Sequence, residues 1–249
     1  MAGNARIQLC GPVVVRLEGR RVDAELPGRQ GRLLFAFLTL NRARETPRAE
    51  LLAAVWPEAV PSAADAGLSA LLSKLRRVLG GGRVEGRAAV RLHLPADAWV
   101  DVEAAGEALH RAESAVARRD WTAAWGPARV VQHVTMRPFL AGEEAPWVVE
   151  RGRRLDEMHV RSLELAAEAC LGIGGAELDT AERAARALVE RAPFRESGHR
   201  YLMRVLAARE NPAEALRVYD ALRLLLREEL GVAPAAATQD LHRELLARA

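Results

Sequence analysis

Two textures of sequence, a split in charge and a weak helical repeat predict an α+β winged helix followed by an all-α, tetratricopeptide-like array of helical hairpins. Up to about residue 94, short strand-like runs mix with short helical ones. From Asp101 onward the apolar spacing is helical almost without interruption. Residues 1–99 carry 15 basic and 9 acidic side chains, a net of +6, whereas residues 100–249 carry 21 and 24, a net of −3. The join, Leu94-Pro95-Ala96-Asp97-Ala98-Trp99-Val100-Asp101, holds a proline and an aspartate able to cap a helix, which sets the expected domains at 1–96 and 97–249.

Composition excludes several classes. A chain of 249 residues, 50% hydrophobic, is too apolar to be disordered and carries neither a collagen nor a heptad monotony. No stretch approaches eighteen uncharged apolar residues, so no membrane span is expected. Residues from Met1 to Cys10 lack a charged-then-apolar leader, and Cys10 and Cys170, two cysteines each alone in its neighbourhood, do not make a disulfide framework or zinc site. A reducing cytoplasmic compartment is the expectation. Lys74 is the sole lysine beside 35 arginines, and alanine supplies 48 residues. That bias makes any single arginine weaker evidence for phosphate contact.

In the first part, Arg6–Cys10 and Val13–Leu17 are β-rich runs and Arg21–Leu26 alternates, with turns at Gly11-Pro12 and Glu18-Gly19-Arg20. Leu33, Leu34, Phe37, Leu38 and Leu40 give the run from Arg29 to Asn41 helical spacing. A second helix is expected to start with Thr46 as N-cap and Pro47 as first helical residue, and to stop at Pro57. Trp56 reads as core. Ser62 with Asp65 looks like a capping box opening a third helix, which runs to Leu79 and ends at Gly80-Gly81-Gly82. Arg83-Val84-Glu85, Gly86-Arg87 and Ala88–Leu94 then read as strand, turn and strand.

At 100° per residue, Leu68, Leu71, Leu72, Leu75, Val78 and Leu79 of the third helix share one face. The other face holds Ala66, Ala70, Ser73, Lys74 and Arg77, flanked by Ser69 and Arg76. Small residues at one end let a backbone approach; cations at the other neutralise phosphates or read guanine. This suits a helix in the major groove of double-stranded DNA. The expected contacts are Ser69, Ala70, Ser73 and Lys74 near the bases, and Arg48, Arg76, Arg77, Arg87 and Arg91 on phosphates. A solvated helix end drawn to its own dipole is the competing reading for Lys74, Arg76 and Arg77.

The second part reads as seven antiparallel helices: Asp101–Asp120, Trp121–Met136, Trp147 to about Leu171, Thr180–Ala192, Glu196–Arg209, Pro212–Leu230 and Ala237–Ala247. Gly172-Ile173-Gly174-Gly175 is expected to end the third of them. Ala181–Leu188 recurs in type as Pro212–Tyr219, about 30 to 34 residues on, which suggests tetratricopeptide-like stacking.

Leu9–Val13, Arg29–Leu34 and Leu51–Pro57 resemble the OmpR-type winged helix of actinobacterial antibiotic-regulatory (SARP-type) activators, and Leu68–Leu79 is similar to that family's recognition helix. Ala192–Met203, Ala215–Tyr219, Glu228–Pro234, Pro138-Phe139-Leu140 and Pro146-Trp147 resemble its bacterial transcriptional activator domain. The resemblance covers 7–94 and roughly 99–246. It implies a DNA-binding activator that sits near a promoter −35 element, recruits RNA polymerase holoenzyme and self-associates on direct repeats. No cofactor is expected.

Catalytic patterns are weak. His93, His110, His133, His159, His199 and His242 are scattered, and Asp156-Glu157-Met158-His159 has no second histidine at metal spacing. Gly172–Gly175 lacks the strand and Lys-Ser/Thr of a phosphate cradle. No enzyme is expected. Two other classes stay open: a helical peptide-binding scaffold whose winged helix no longer reads DNA, and a ligand-gated regulator.

Overall fold

The computed structural model describes residues 5–58, 61–80 and 82–248, so Gly81 of the glycine run lies outside it. The chain divides into two compact units. The first runs to Ala104 and regains Arg137–Leu155; the second comprises Ala105–Met136 and the chain from Asp156 onward. The division in space is therefore not a single cut in sequence.

The first unit opens with β1 (Arg6–Gln8), β2 (Val14–Leu17) and β3 (Arg20–Arg21). Alternation assigns the faces: Ile7 and Val15 are cross-strand partners and buried, while Arg6 and Arg16 pair on the exposed side. Helices α1 (Gly28–Leu40), α2 (Arg48–Val55) and α3 (Ala64–Leu79) follow, α1 and α2 separated by β4 (Thr46–Pro47). The hairpin of β5 (Val84–Glu85) and β6 (Ala89–Leu92) comes after α3, and β7 (Trp99–Val100) ends the series. The sheets run β3-β2-β1-β7 and β4-β6-β5. Sheet, three helices and hairpin are the winged-helix order. Its core includes Leu34, Phe35 and Leu38 of α1, Leu51 of α2 and Leu68, Leu72 and Leu75 of α3, all fully buried.

Several sequence expectations change. Thr46 and Pro47 do not cap α2; they form a strand against Val90 and Ala89. A buried Thr46 facing β6 has a ladder to join, and α2 begins one residue after Pro47. Ser62 and Asp65 make no capping box: α3 starts at Ala64 without a side-chain cap, and the Asp65 carboxylate is taken by Arg48. Of the alternating run Arg21–Leu26 only its start is strand, because Asp23–Glu25 closes into a 3-10 turn. The expected interdomain join contains β7, which pairs in parallel with β1.

Asp101 does more than begin a helix. Its side chain is fully buried and accepts the backbone N–H groups of Leu9 (2.9 Å), Cys10 (2.9 Å) and Val102 (2.8 Å). Burial pushes its carboxyl above the usual range, and the three amide donors oppose that rise. The loop Arg137–Ala145 packs beside the same segment. Gly11 N–H donates to the Pro138 carbonyl at 2.8 Å, Leu140 N–H to that of Leu9 at 2.9 Å, and Cys10 bridges Phe139.

The helices after β7 are α4 (Asp101–Ala117), α5 (Trp121–Thr135), α6 (Pro146–Ile173), α7 (Leu178–Arg191), α8 (Glu196–Ala208), α9 (Pro212–Leu230) and α10 (Ala236–Arg248). In the second unit, Ala112, Ala128, Ala166, Ala167, Ala184, Ala185 and Ala215 meet Leu165, Leu202, Met203 and Tyr219 in one core. Small residues on facing helices permit the close approach that a hairpin stack needs. The repeat falls on α7 and α9, where Ala181, Ala185 and Leu188, then Ala215 and Tyr219, are buried. The run Gly172–Gly175 ends α6 as expected: the helix stops at Ile173, and Gly174 takes φ +73°. Gly172 itself is still helical and lies under the Trp121 indole, where a Cβ would come within 2.6 Å of the ring. Glu196 of α8 accepts the N–H of Ala235 at 2.9 Å and the Thr238 hydroxyl at 2.5 Å, holding the start of α10.

Candidate nucleic-acid interface

The amphipathic spacing of α3 buries Leu68, Leu72, Leu75 and Leu79 and leaves Leu71 and Val78 half-buried. The opposite side therefore faces solvent: Ala66, Ser69, Ala70, Ser73, Lys74 and Arg77 are all exposed. At its N-terminal end, Arg48 reaches across from α2. Its Nε and Nη2 donate to Asp65 Oδ1 at 2.9 and 2.8 Å, and Nη2 also donates to the Asp65 carbonyl and to Ser69 Oγ, both at 2.9 Å. The Ser69 hydroxyl in turn donates to the Asp65 carbonyl at 2.9 Å. Arg48 thus orders Ser69, and Asp65 balances its charge.

The wing is set by a second guanidinium. Arg76 Nε donates to the Val84 carbonyl at 3.0 Å and its Nη2 to the Gly86 carbonyl at 2.6 Å. Gly86, at φ +91°, admits no side chain: a Cβ would meet the Ala89 carbonyl oxygen at 1.9 Å. Arg91 donates to the carbonyls of Arg42 (3.2 Å) and Ala43 (3.3 Å), and Arg83 pairs with Glu18. Arg77, Lys74 and Arg87 make no polar contact within the protein among the described residues.

The predicted site residues accordingly fall into two groups. Ser69, Ala70, Ser73, Lys74, Arg77 and Arg87 present exposed side chains. Arg48, Arg76 and Arg91 hold protein groups: Asp65 and Ser69, the wing turn, and the loop before β4. Two acids are absent from the sequence reading of the site: Asp65, which holds Arg48, and Glu18, which pairs with Arg83 of the wing. Their partners lie 17 and 65 residues away, so no local pattern signals them. Among the described residues no group of three His, Cys, Asp or Glu is disposed to hold a metal ion. Both cysteines are buried, and burial pushes their thiols up to about 12 for Cys10 and about 11 for Cys170, which leaves them unreactive as nucleophiles.

Comparison with known proteins bears on the whole chain. The family model described as "Bacterial transcriptional activator domain" matches residues 100–246. The chain is 32% identical over 248 residues to Regulatory protein AfsR of Streptomyces coelicolor, which covers 98% of this chain and 24% of AfsR. It is 28% identical over 277 residues to Transcriptional regulatory protein EmbR of Mycobacterium tuberculosis, covering 99% of this chain and 66% of EmbR. The chain thus spans about a quarter of AfsR and about two thirds of EmbR. The solved structure of Mycobacterium tuberculosis EmbR in complex with a low-affinity phosphopeptide shares the fold, with a TM-score of 0.82 at 20% identity over 99% of this chain and 65% of that one.

Proposed function

Because the chain belongs to the bacterial transcriptional activator domain family of SARP-type regulators, we propose that it is a DNA-binding transcriptional activator. In this reading residues 1–96 bind promoter direct repeats near a −35 element, and residues 97–249 contact neighbouring protomers and RNA polymerase holoenzyme in the cytoplasm. The observation that carries it is the exposed face of α3, with small residues at one end and the uncommitted charges of Lys74 and Arg77 at the other. A backbone can approach Ser69, Ala70 and Ser73 closely enough for base-edge contact, while Lys74, Arg77 and the wing residue Arg87 meet phosphates. Arg48 and Arg76 act one step back, by ordering Ser69 and the wing.

The test is titration of the purified chain onto genomic promoter fragments at several salt concentrations, followed by footprinting. A protected pair of repeats beside a −35 element is the expected result. Weak, uniform binding erased by moderate salt would overturn the activator reading in favour of a helical scaffold.

A further inference from the structure

We propose that the first unit carries a binding site for a small organic oxyanion, a carboxylate or phosphate monoester on an apolar body. The site is a cavity of about 620 Å³ bounded by Gly11–Val13, the 3-10 turn at Asp23-Ala24, α1 and the loop Arg137–Glu143. That volume is in the range of small-molecule sites. Its apolar surface comes from Pro12, Val13, Leu33, Pro138 and Leu140.

Two guanidiniums line it without a carboxylate partner among the described residues: Arg32 of α1 and Arg137. The acids in the lining are already matched, Glu143 with Arg29 at 2.7 Å and Asp23 with Arg21 at 2.8 Å. Asp101, the acid within electrostatic reach of Arg137, is held by three backbone amides and forms no bond to it. Asp101 offsets Arg137 in part through space, and Arg32 has no acid partner among the described residues, so the balance of charge around the cavity is positive.

Arg137 is the distinctive group. Its Nε is a buried nitrogen with no acceptor, and among the described residues no other arginine has one. A buried donor without a partner is costly and calls for an acceptor, such as an ion or a water. Its position is also prepared. Gly11, at φ +80°, leaves the space that the arginine stem fills; a Cβ there would come within 3.1 Å of Arg137 Cδ. The bonds from Gly11 to Pro138 and from Leu140 to Leu9 fix the backbone on both sides. Two planar guanidiniums lining one cavity with apolar walls favour a two-oxygen anion.

The experiment is calorimetric titration of the full chain with phenyl phosphate, benzoate and, as neutral probe, benzyl alcohol. Saturable binding of either anion is expected, with affinity lowered at least about tenfold by Arg32→Gln and by Arg137→Gln, the loss of one charge-assisted contact. Arg118→Gln, an exposed arginine of the second unit, should leave it unchanged. Phenyl phosphate binding alone assigns the phosphate class; benzoate binding alone assigns the carboxylate class. Arg32 is exposed, so its variant tests the site even where Arg137→Gln perturbs folding, which a thermal melt checks. Absence of saturable anion binding, equal binding of benzyl alcohol, or an equal loss in Arg118→Gln would overturn the proposal.

Discussion

Trp147, the second residue of α6, donates its indole N–H to the backbone carbonyl of Ala54 at 3.0 Å. Ala54 lies in the last turn of α2, where carbonyls have no helical partner. The same ring meets Phe37 of α1 edge-on at 5.1 Å and Phe139 at 6.1 Å. A residue matched by the activator-domain model thus completes a helix end of the winged helix, within one compact unit.

Trp147→Phe keeps the ring and removes the donor. The Ala54 carbonyl then loses its partner in a half-buried setting, an expected loss of about 1–3 kcal/mol. Trp147→Ala also removes the edge contacts, and its loss should exceed that of Phe by about 1 kcal/mol or more. Denaturant melts of the three proteins check this. Equal stability of Trp147→Phe and wild type would remove the hydrogen bond from the account.

Trp147 also shows what a single sequence conceals. Its place at the start of a long helix was legible from apolar spacing and the preceding proline; its partner 93 residues away was not. The same division holds elsewhere. The helices from α4 to α10 have a 3.6-residue period and long runs to display it. Strands β3, β4 and β7 have two residues each, too few to alternate, and exist because a neighbour offers a ladder. At the candidate interface, the α3 face was legible because 100° per residue sorts its side chains. That Arg76 and Arg91 bond carbonyls was not, since an arginine's reach hides its target.

Gly172 and Trp121 give a test in which two effects oppose each other. Glycine to alanine inside a helix stabilises by about 1 kcal/mol through backbone entropy. At Gly172 the new methyl would lie 2.6 Å from the Trp121 ring, and such overpacking costs about 1–3 kcal/mol. Gly172→Ala should therefore destabilise. In a Trp121→Leu background the same change should be neutral or stabilising. A double-mutant cycle by thermal melting measures the sign reversal, and additive effects would sink the packing explanation.

Two histidines of the second unit predict acid sensitivity. His199 bonds the Pro193 carbonyl through Nε2 at 2.9 Å, so that nitrogen is the donor, and Nδ1 is buried without a partner. His159 Nδ1 lies 2.9 Å from the Thr135 hydroxyl, which already donates to the Val131 carbonyl. Burial is the leading cause that lowers both below the ordinary 6.5, and Arg191 adds to it at His159. A depressed folded pKa means that the unfolded chain binds the proton more readily. The stability these rings contribute is complete above 6.5 and is lost as pH falls from there through their folded values. Between pH 7.5 and 5, wild type should lose more stability than the His159→Gln/His199→Gln variant. Parallel pH profiles would refute the assignment.

The arginines of the candidate interface separate by what their guanidiniums hold. Arg77 and Arg87 make no hydrogen bond or ion pair within the protein among the described residues, so each charge is available to a phosphate. Replacing either by alanine should weaken binding to all DNA sequences alike and lower the magnitude of the salt slope by about one unit, the release of one counterion. Melting temperature should hardly move. Arg76 and Arg91 are tied to carbonyls of the wing turn and of the loop before β4. Their alanine variants should lower the melting temperature, because those carbonyls lose their donors, and should change the salt slope less than Arg77→Ala does. Salt-dependent gel shifts on one specific and one random duplex, paired with thermal melts, separate the two groups. A full unit of slope lost in Arg76→Ala with an unchanged melt would move Arg76 from holding the wing to holding DNA.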